Sequence, residues 1–322
     1  MGETTFIGEY TLDKPLRADN GGFSRWGLAT KNGRRVFIKE FLTPVYPAST
    51  SGLSQKLLES KRALCESFFT TKNKLYKKLS QCQTGNIVYI DEFFRCGSHY
   101  YITTEYIDNP IEIADLSKTA SDRDKRILTK LLTYNLKVLH REGIVHSDIK
   151  PNNLLIKKTK YGYAAKLIDF DASFLVENPP EATEDIHGDF IYLAPEVFIR
   201  MRDEDGHIDE KLDVYSLGIL LHELWTGSLP QYPREYNYPF EAIINGYNGG
   251  NLSLNPHLPS DVSRLIAWMV APQPEHRPSA SQCFDLLDEC AKKVTPRPIV
   301  EDKRCNSSSA YESGPWKRAG DL

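Results

Sequence analysis

No stretch of this 322-residue chain stays apolar for the length a membrane-spanning helix needs, which is about 20 residues. The opening residues, MGETTFIGEY, lack the basic-then-apolar pattern of a secretory signal. Position six holds Phe6, where N-myristoylation asks for Ser or Thr. Neither sign of charge is in large excess: 40 Lys and Arg against 43 Asp and Glu leave a formal net charge of −3. That balance argues against nucleic acid or an anionic membrane as the main partner. Six cysteines (65, 82, 96, 283, 290 and 305) are scattered, with no C-x-x-C pair and no histidines at metal-ligand spacing, so a zinc site is not expected. The expectation is reduced, mostly buried thiols in a cytoplasmic protein.

What is present is ordinary globular material, with 40% hydrophobic and 26% charged residues, long enough for one large domain or two lobes. The first hundred residues alternate strand-like runs with turn signals. LRADNGGFSRWGLAT (16–30) and VFIKEF (36–41) flank Asn32-Gly33 and predict a hairpin. Leu53 to Leu79 predicts one long helix, with Leu57, Leu64, Phe68, Leu75 and Leu79 at helical spacing. Residues 86–107 predict two strands joined at Cys96-Gly97-Ser98.

From Asp122 onward helices dominate. One is predicted to open on Asp122 as N-cap and close at Gly143. LDVYSLGILLHELWTG (212–227) reads as a helix buried on most sides and stopped by Gly227. DVSRLIAWMV and SASQCFDLLDECAKK predict two more, and the residues after Thr295 lack periodicity, as a mobile tail does. No internal repeat is present.

The chemistry gathers in HSDIKPNN (146–153) and KLIDFDASF (166–174). Taken alone, Asp148 and Asn153 fit a turn in which Asx side chains bond their own backbone, and Lys39 fits a solvated strand lysine. Taken together, the set has another use. Transferring a phosphoryl group from ATP needs a lysine on the phosphates, two groups that hold metal, and a carboxylate that orients the attacking hydroxyl. Lys39, Asn153, Asp169 and Asp148 match that inventory.

With these residues in order, the chain resembles a eukaryotic-type protein kinase over roughly residues 10 to 293. HSDIKPNN stands for the family's H-R-D-x-K-x-x-N, Asp169-Phe170-Asp171 for D-F-G, Ala194-Pro195-Glu196 for A-P-E, and Val36-Phe37-Ile38-Lys39 for V-A-I-K. Asp213 and Arg277 match two further positions, one holding the catalytic-loop backbone and the other pairing with Glu196. The resemblance implies an α+β bilobal fold. Its parts are an N-lobe (10–107) of antiparallel sheet with one main helix, a larger mainly helical C-lobe (108–293) and a tail (294–322).

It also implies ATP, magnesium and a protein substrate. Asp148 is then the base and Lys150 lies near the transferring phosphate, as in the Ser/Thr branch. Asn153 and Asp169 take the metal. Lys39, Gly21 and Gly22 meet the phosphates, Glu105 to Ile107 form the hinge, Thr104 is the gatekeeper and Leu155 the adenine floor.

Several positions depart from the pattern. Only Gly21 survives of the three loop glycines, with Asp19 and Ser24 at the others. Trp26 and Phe37 replace the small adenine-roof residues. The glutamate expected to pair with Lys39 falls near Lys72, with Glu66 upstream as a substitute partner. Ser147 replaces the arginine that senses activation-loop phosphate, and the segment 171–196 carries no Lys or Arg. Activity without activation-loop phosphorylation is expected, with Ser173 and Thr183 as the acceptors to test. Asp189 stands where the Ser/Thr branch has threonine. The leading expectation is an active kinase. The alternative is a pseudokinase serving as a nucleotide-binding or scaffolding module. The A-P-E segment favours protein over small-molecule substrates.

Overall fold

The computed structural model describes residues 5–18, 24–48, 52–82, 85–160, 162–180, 188–203 and 207–293. Gly21, Gly22, Asp19, Thr183 and the expected tail lie outside them. The described chain divides into two compact units, the first ending at Asn109 and the second starting at Pro110.

In the first unit, strands β1 (Phe6–Ile7), β2 (Tyr10–Leu12), β3 (Ser24–Lys31) and β4 (Arg34–Phe41) precede helix α1 (Gln55–Gln81). Strands β5 (Ile90–Cys96) and β6 (His99–Glu105) follow. They form one antiparallel sheet ordered β1-β2-β3-β4-β6-β5. The predicted hairpin is β3-β4. Asn32 and Gly33 turn it with φ of 52° and 76°, the positive pair that a two-residue type I′ turn requires.

Side chains alternate between the faces of the sheet. One face carries a buried cluster of Ile7, Tyr10, Leu12, Ala29, Val36, Ile38 and Tyr101. Strands β1 and β2 contribute to it, although they are too short for periodicity to reveal. The opposite face carries Trp26, Phe37, Lys39, Phe41, Tyr100, Ile102 and Thr104, as the register of β3, β4 and β6 dictates. Helix α1 packs there through an aromatic cluster in which Phe68, Phe69 and Tyr76 each meet Phe93 at 5.1–6.1 Å between ring centroids. Each such ring, once buried, contributes roughly 1.5–3 kcal/mol.

The second unit opens with α2 (Ile113–Thr119) and α3 (Asp122–Arg141). The cap of α3 is Ser121 rather than Asp122, because the Ser121 hydroxyl accepts from the Asp124 amide at 3.2 Å. Four short strands follow: β7 (Ile144–Val145), β8 (Leu154–Thr159), β9 (Gly162–Leu167) and β10 (Phe174–Leu175). β7 pairs with β10 and β8 with β9, both antiparallel. One loop therefore runs from β7 to β8 and another from β9 to β10, and the two ladders hold both in register.

Helices α4 (Pro195–Asp203), α5 (Lys211–Thr226), α6 (Pro239–Ile244), α7 (Ser260–Met269) and α8 (Ala280–Lys293) complete the unit. Helix α5 is buried almost all round, as its apolar run predicts, and ends on Gly227 in the left-handed region at φ 72°. Among the described residues, no helix is long and apolar enough to cross a membrane.

Candidate active site

The β7–β8 loop carries His146 to Asn153. Its shape is imposed from below by Asp213 of α5, which is fully buried. The Asp213 carboxylate accepts the amides of His146 and Ser147, each at 2.8 Å, and faces His140 Nε2 at 3.0 Å. These bonds hold Ser147 at φ 67°, a conformation that costs a non-glycine residue free energy and persists only when its surroundings over-determine it. His146 is buried and structural. Its Nδ1 accepts from the Asp148 amide at 3.3 Å, so Nε2 carries the proton and donates to the Ile168 carbonyl at 3.1 Å. That bond ties the β7–β8 loop to the residue before Asp169, and the Phe170 ring lies 4.8 Å from the imidazole.

Three donors converge on the Asp148 carboxylate. The Asp189 amide donates to Oδ1 at 3.1 Å, and Asn153 Nδ2 and Lys150 Nζ approach Oδ2 at 2.8 and 2.9 Å. Asn153 Nδ2 also donates to the Asp148 carbonyl at 2.7 Å. Nδ2 thus serves Asp148 twice. The amide oxygen of Asn153 and the Asp169 carboxylate are hard oxygens of the kind magnesium takes. Asp169 is held at φ 62°, and its Oδ1 accepts from the Asp171 amide at 3.4 Å.

Two departures from the family pattern, and one expected acceptor, acquire a geometry. Asp189 meets Asp148 with its amide, while its own carboxylate accepts from the Ile191 amide at 3.0 Å. The second carboxylate therefore serves its own turn. Ser147 is buried. Ser173, expected as a phosphate acceptor, is also buried and donates to the His146 carbonyl at 2.9 Å, so its hydroxyl fastens the β9–β10 loop to the β7–β8 loop. Further from Asp148, Arg277 holds Glu196 through two bonds of 2.6 and 2.8 Å, and its remaining donors reach the carbonyls of Ala271, Pro272 and Lys211.

In the sheet unit, Lys39 is half-buried between Trp26 and Ile102 in neighbouring strands. Thr104 is half-buried and Ile107 buried, while the buried Glu105 accepts the Tyr89 amide at 2.6 Å and is fixed in place. Leu155 sits on β8 in the other unit. Trp26 and Phe37 stack at 5.5 Å between centroids on the face that carries Lys39 and Thr104. Glu66 is exposed on α1, about a quarter turn away from the stripe that packs on the sheet. That stripe carries Lys72.

The chain matches the protein kinase domain over residues 56–286. That interval takes in Asp148, Lys150, Asn153 and Asp169 and leaves out Lys39, Gly21 and Gly22. The chain is 26% identical to the serine/threonine-protein kinase cds1 of Schizosaccharomyces pombe, over 71% of this chain and 51% of that protein. It is 24% identical to the serine/threonine-protein kinase Nek5 of Mus musculus, over 83% and 44%. It is 27% identical to calcium-dependent protein kinase 6 of Arabidopsis thaliana, over 55% and 31%. The chain spans about half or less of the length of these relatives. The match covers more than half of the chain, and the chain belongs to the protein kinase family.

Proposed function

We propose that this chain is a magnesium-dependent protein serine/threonine kinase that transfers the terminal phosphoryl group of ATP to a protein hydroxyl. The observation that carries the reading is the Asp148 carboxylate, oriented by Lys150, Asn153 and the Asp189 amide on a loop that Asp213 holds in place. Asp148 orients the substrate hydroxyl and takes its proton as the new O–P bond forms and the bond to the departing ADP breaks. Lys150 balances charge beside the phosphoryl group. Asn153 and Asp169 hold magnesium, which when bound neutralises phosphate charge. Lys39 and the backbone at Gly21 and Gly22 hold the phosphates. The backbone from Glu105 to Ile107, with Thr104 and Leu155, receives adenine.

The buried Ser147 and the buried, bonded Ser173 support activity without activation-loop phosphorylation. Thiols without metal spacing fit a cytoplasmic setting. The test is phosphoryl transfer with Mg-ATP by the wild type beside Asp148→Ala and Asp169→Ala. Transfer lost in both variants is expected, and transfer surviving both refutes the assignment. A second reading, a pseudokinase, is favoured by the Trp26–Phe37 stack at the adenine-roof positions. Nucleotide binding without transfer by the wild type selects it.

A further inference from the structure

The face of the sheet that carries Lys39 is covered by α1, and the phase of that helix follows from what its side chains touch. Phe68 touches Phe41, Phe93 and Tyr100, Phe69 touches Phe93 and Tyr100, and Tyr76 touches Phe93. The Cys65 carbonyl accepts from the Tyr100 hydroxyl at 3.3 Å, and Leu75 and Leu79 are buried. At 3.6 residues per turn these positions form one stripe. Lys72 falls at its centre, one turn from Phe68 and one turn from Tyr76, and is half-buried. The acids of α1, Glu59 and Glu66, are both exposed.

The register across the strands places Lys72 relative to Lys39. Phe93 of β5 opposes Ile102 of β6, and Ile102 opposes Lys39 of β4. Phe68, Phe69 and Tyr76, which bracket Lys72, all pack on Phe93. The helical phase therefore sets Lys72 over the cross-strand row that carries Lys39, about two strand spacings or roughly 10 Å along it. Two long, flexible ammonium side chains entering one layer from opposite sides suit a multiply charged anion, to which each adds a charge-assisted bond.

We propose that Lys72 is a second phosphate ligand for the nucleotide. It acts beside Lys39 and compensates for the poorer phosphate cradle of a loop in which Asp19 and Ser24 replace glycines. The inference rests on the ATP reading above. It makes the lysine at this place a ligand in its own right and not merely the absence of a glutamate.

Calorimetric titration with Mg-ATP and with sodium tripolyphosphate tests it on the full chain, comparing the wild type with Lys72→Glu and Lys72→Met. Lys74→Glu, an exposed neighbour on α1, controls for net charge, and melting temperatures control for folding. Both Lys72 variants are expected to weaken both ligands by about tenfold to a hundredfold, the range a charge-assisted bond commands. The control is expected to change neither. Unchanged or tighter binding by Lys72→Glu, or faster transfer from a restored lysine–glutamate pair, overturns the inference while leaving the kinase reading intact. A wild type that binds neither ligand overturns both.

Discussion

The Asp189 amide donates to Asp148 Oδ1 at 3.1 Å, while the Asp189 carboxylate accepts from the Ile191 amide at 3.0 Å. The backbone of Asp189 thus serves Asp148, and its side chain serves the turn that presents that backbone. Asp189→Asn keeps an oxygen acceptor for Ile191 and should leave turnover within about threefold. Asp189→Pro removes the N–H and should lower turnover by about a hundredfold, the low end for a misplaced general base. Steady-state rates on folded protein check this; a proline variant with near-normal turnover would show that the amide does not position Asp148.

Activation-loop control is the next point of test. Ser173 is buried and donates to the His146 carbonyl, and no arginine stands at Ser147 to receive a phosphate. Replacing Ser173 and Thr183 together with alanine should leave turnover within a few-fold. It should cost stability of about 1 kcal/mol for the missing Ser173 bond. A hundredfold fall in turnover, measured beside a urea melt, would sink the idea.

The legible parts of this protein are those whose chemistry is contiguous in the chain. HSDIKPNN places Asp148, Lys150 and Asn153 within eight residues, and the ladders β7–β10 and β8–β9 then bring the Asp169 loop alongside. Residues whose role depends on helical phase are harder to read. Glu66 and Lys72 can be told apart only once Phe68, Phe69 and Tyr76 show which side of α1 meets the sheet. Ser173 reads as a phosphate acceptor in an acidic segment until the His146 carbonyl is seen to claim its hydroxyl. Ser121 and Asp122 are both good helix caps by type, and only the Asp124 amide chooses between them.

His222 on α5 makes stability depend on pH. It is buried, its Nδ1–H donates to the Ser228 carbonyl at 2.7 Å, and its Nε2 accepts from the Asn255 amide at 3.0 Å. Burial holds its pKa below the ordinary 6.5, against a smaller opposing effect of the Ser228 bond. The unfolded chain therefore takes up the proton first as pH falls. The contribution is whole above about pH 6.5, declines as pH drops below that value, and levels off under the folded-state pKa. Its slope is at most about 1.4 kcal/mol per pH unit for one proton. Urea melts from about pH 8 to 5 should show this decline, and His222→Gln should remove it. An unchanged slope in the variant would assign the dependence to other groups.

The Trp26–Phe37 stack bears on how tightly a purine can bind. The two rings lie 5.5 Å apart on the face that carries Lys39 and Thr104. Trp26 is clamped from its other side by the Arg17 guanidinium, 3.7 Å from the ring centroid, and by paired backbone bonds to Arg17 of 2.8 and 2.9 Å. Such a clamp, a cation–π contact on top of main-chain pairing, holds Trp26 in place beside Phe37. Trp26→Val with Phe37→Ala should therefore tighten ATP binding by about tenfold, or roughly 1.4 kcal/mol. Tripolyphosphate, which has no base, should bind as before. That contrast separates the roof from Lys72, whose removal should weaken both ligands together. Weaker ATP binding in the double variant would make the rings a stacking platform for the base, and the feature that most favours a pseudokinase would then favour the enzyme.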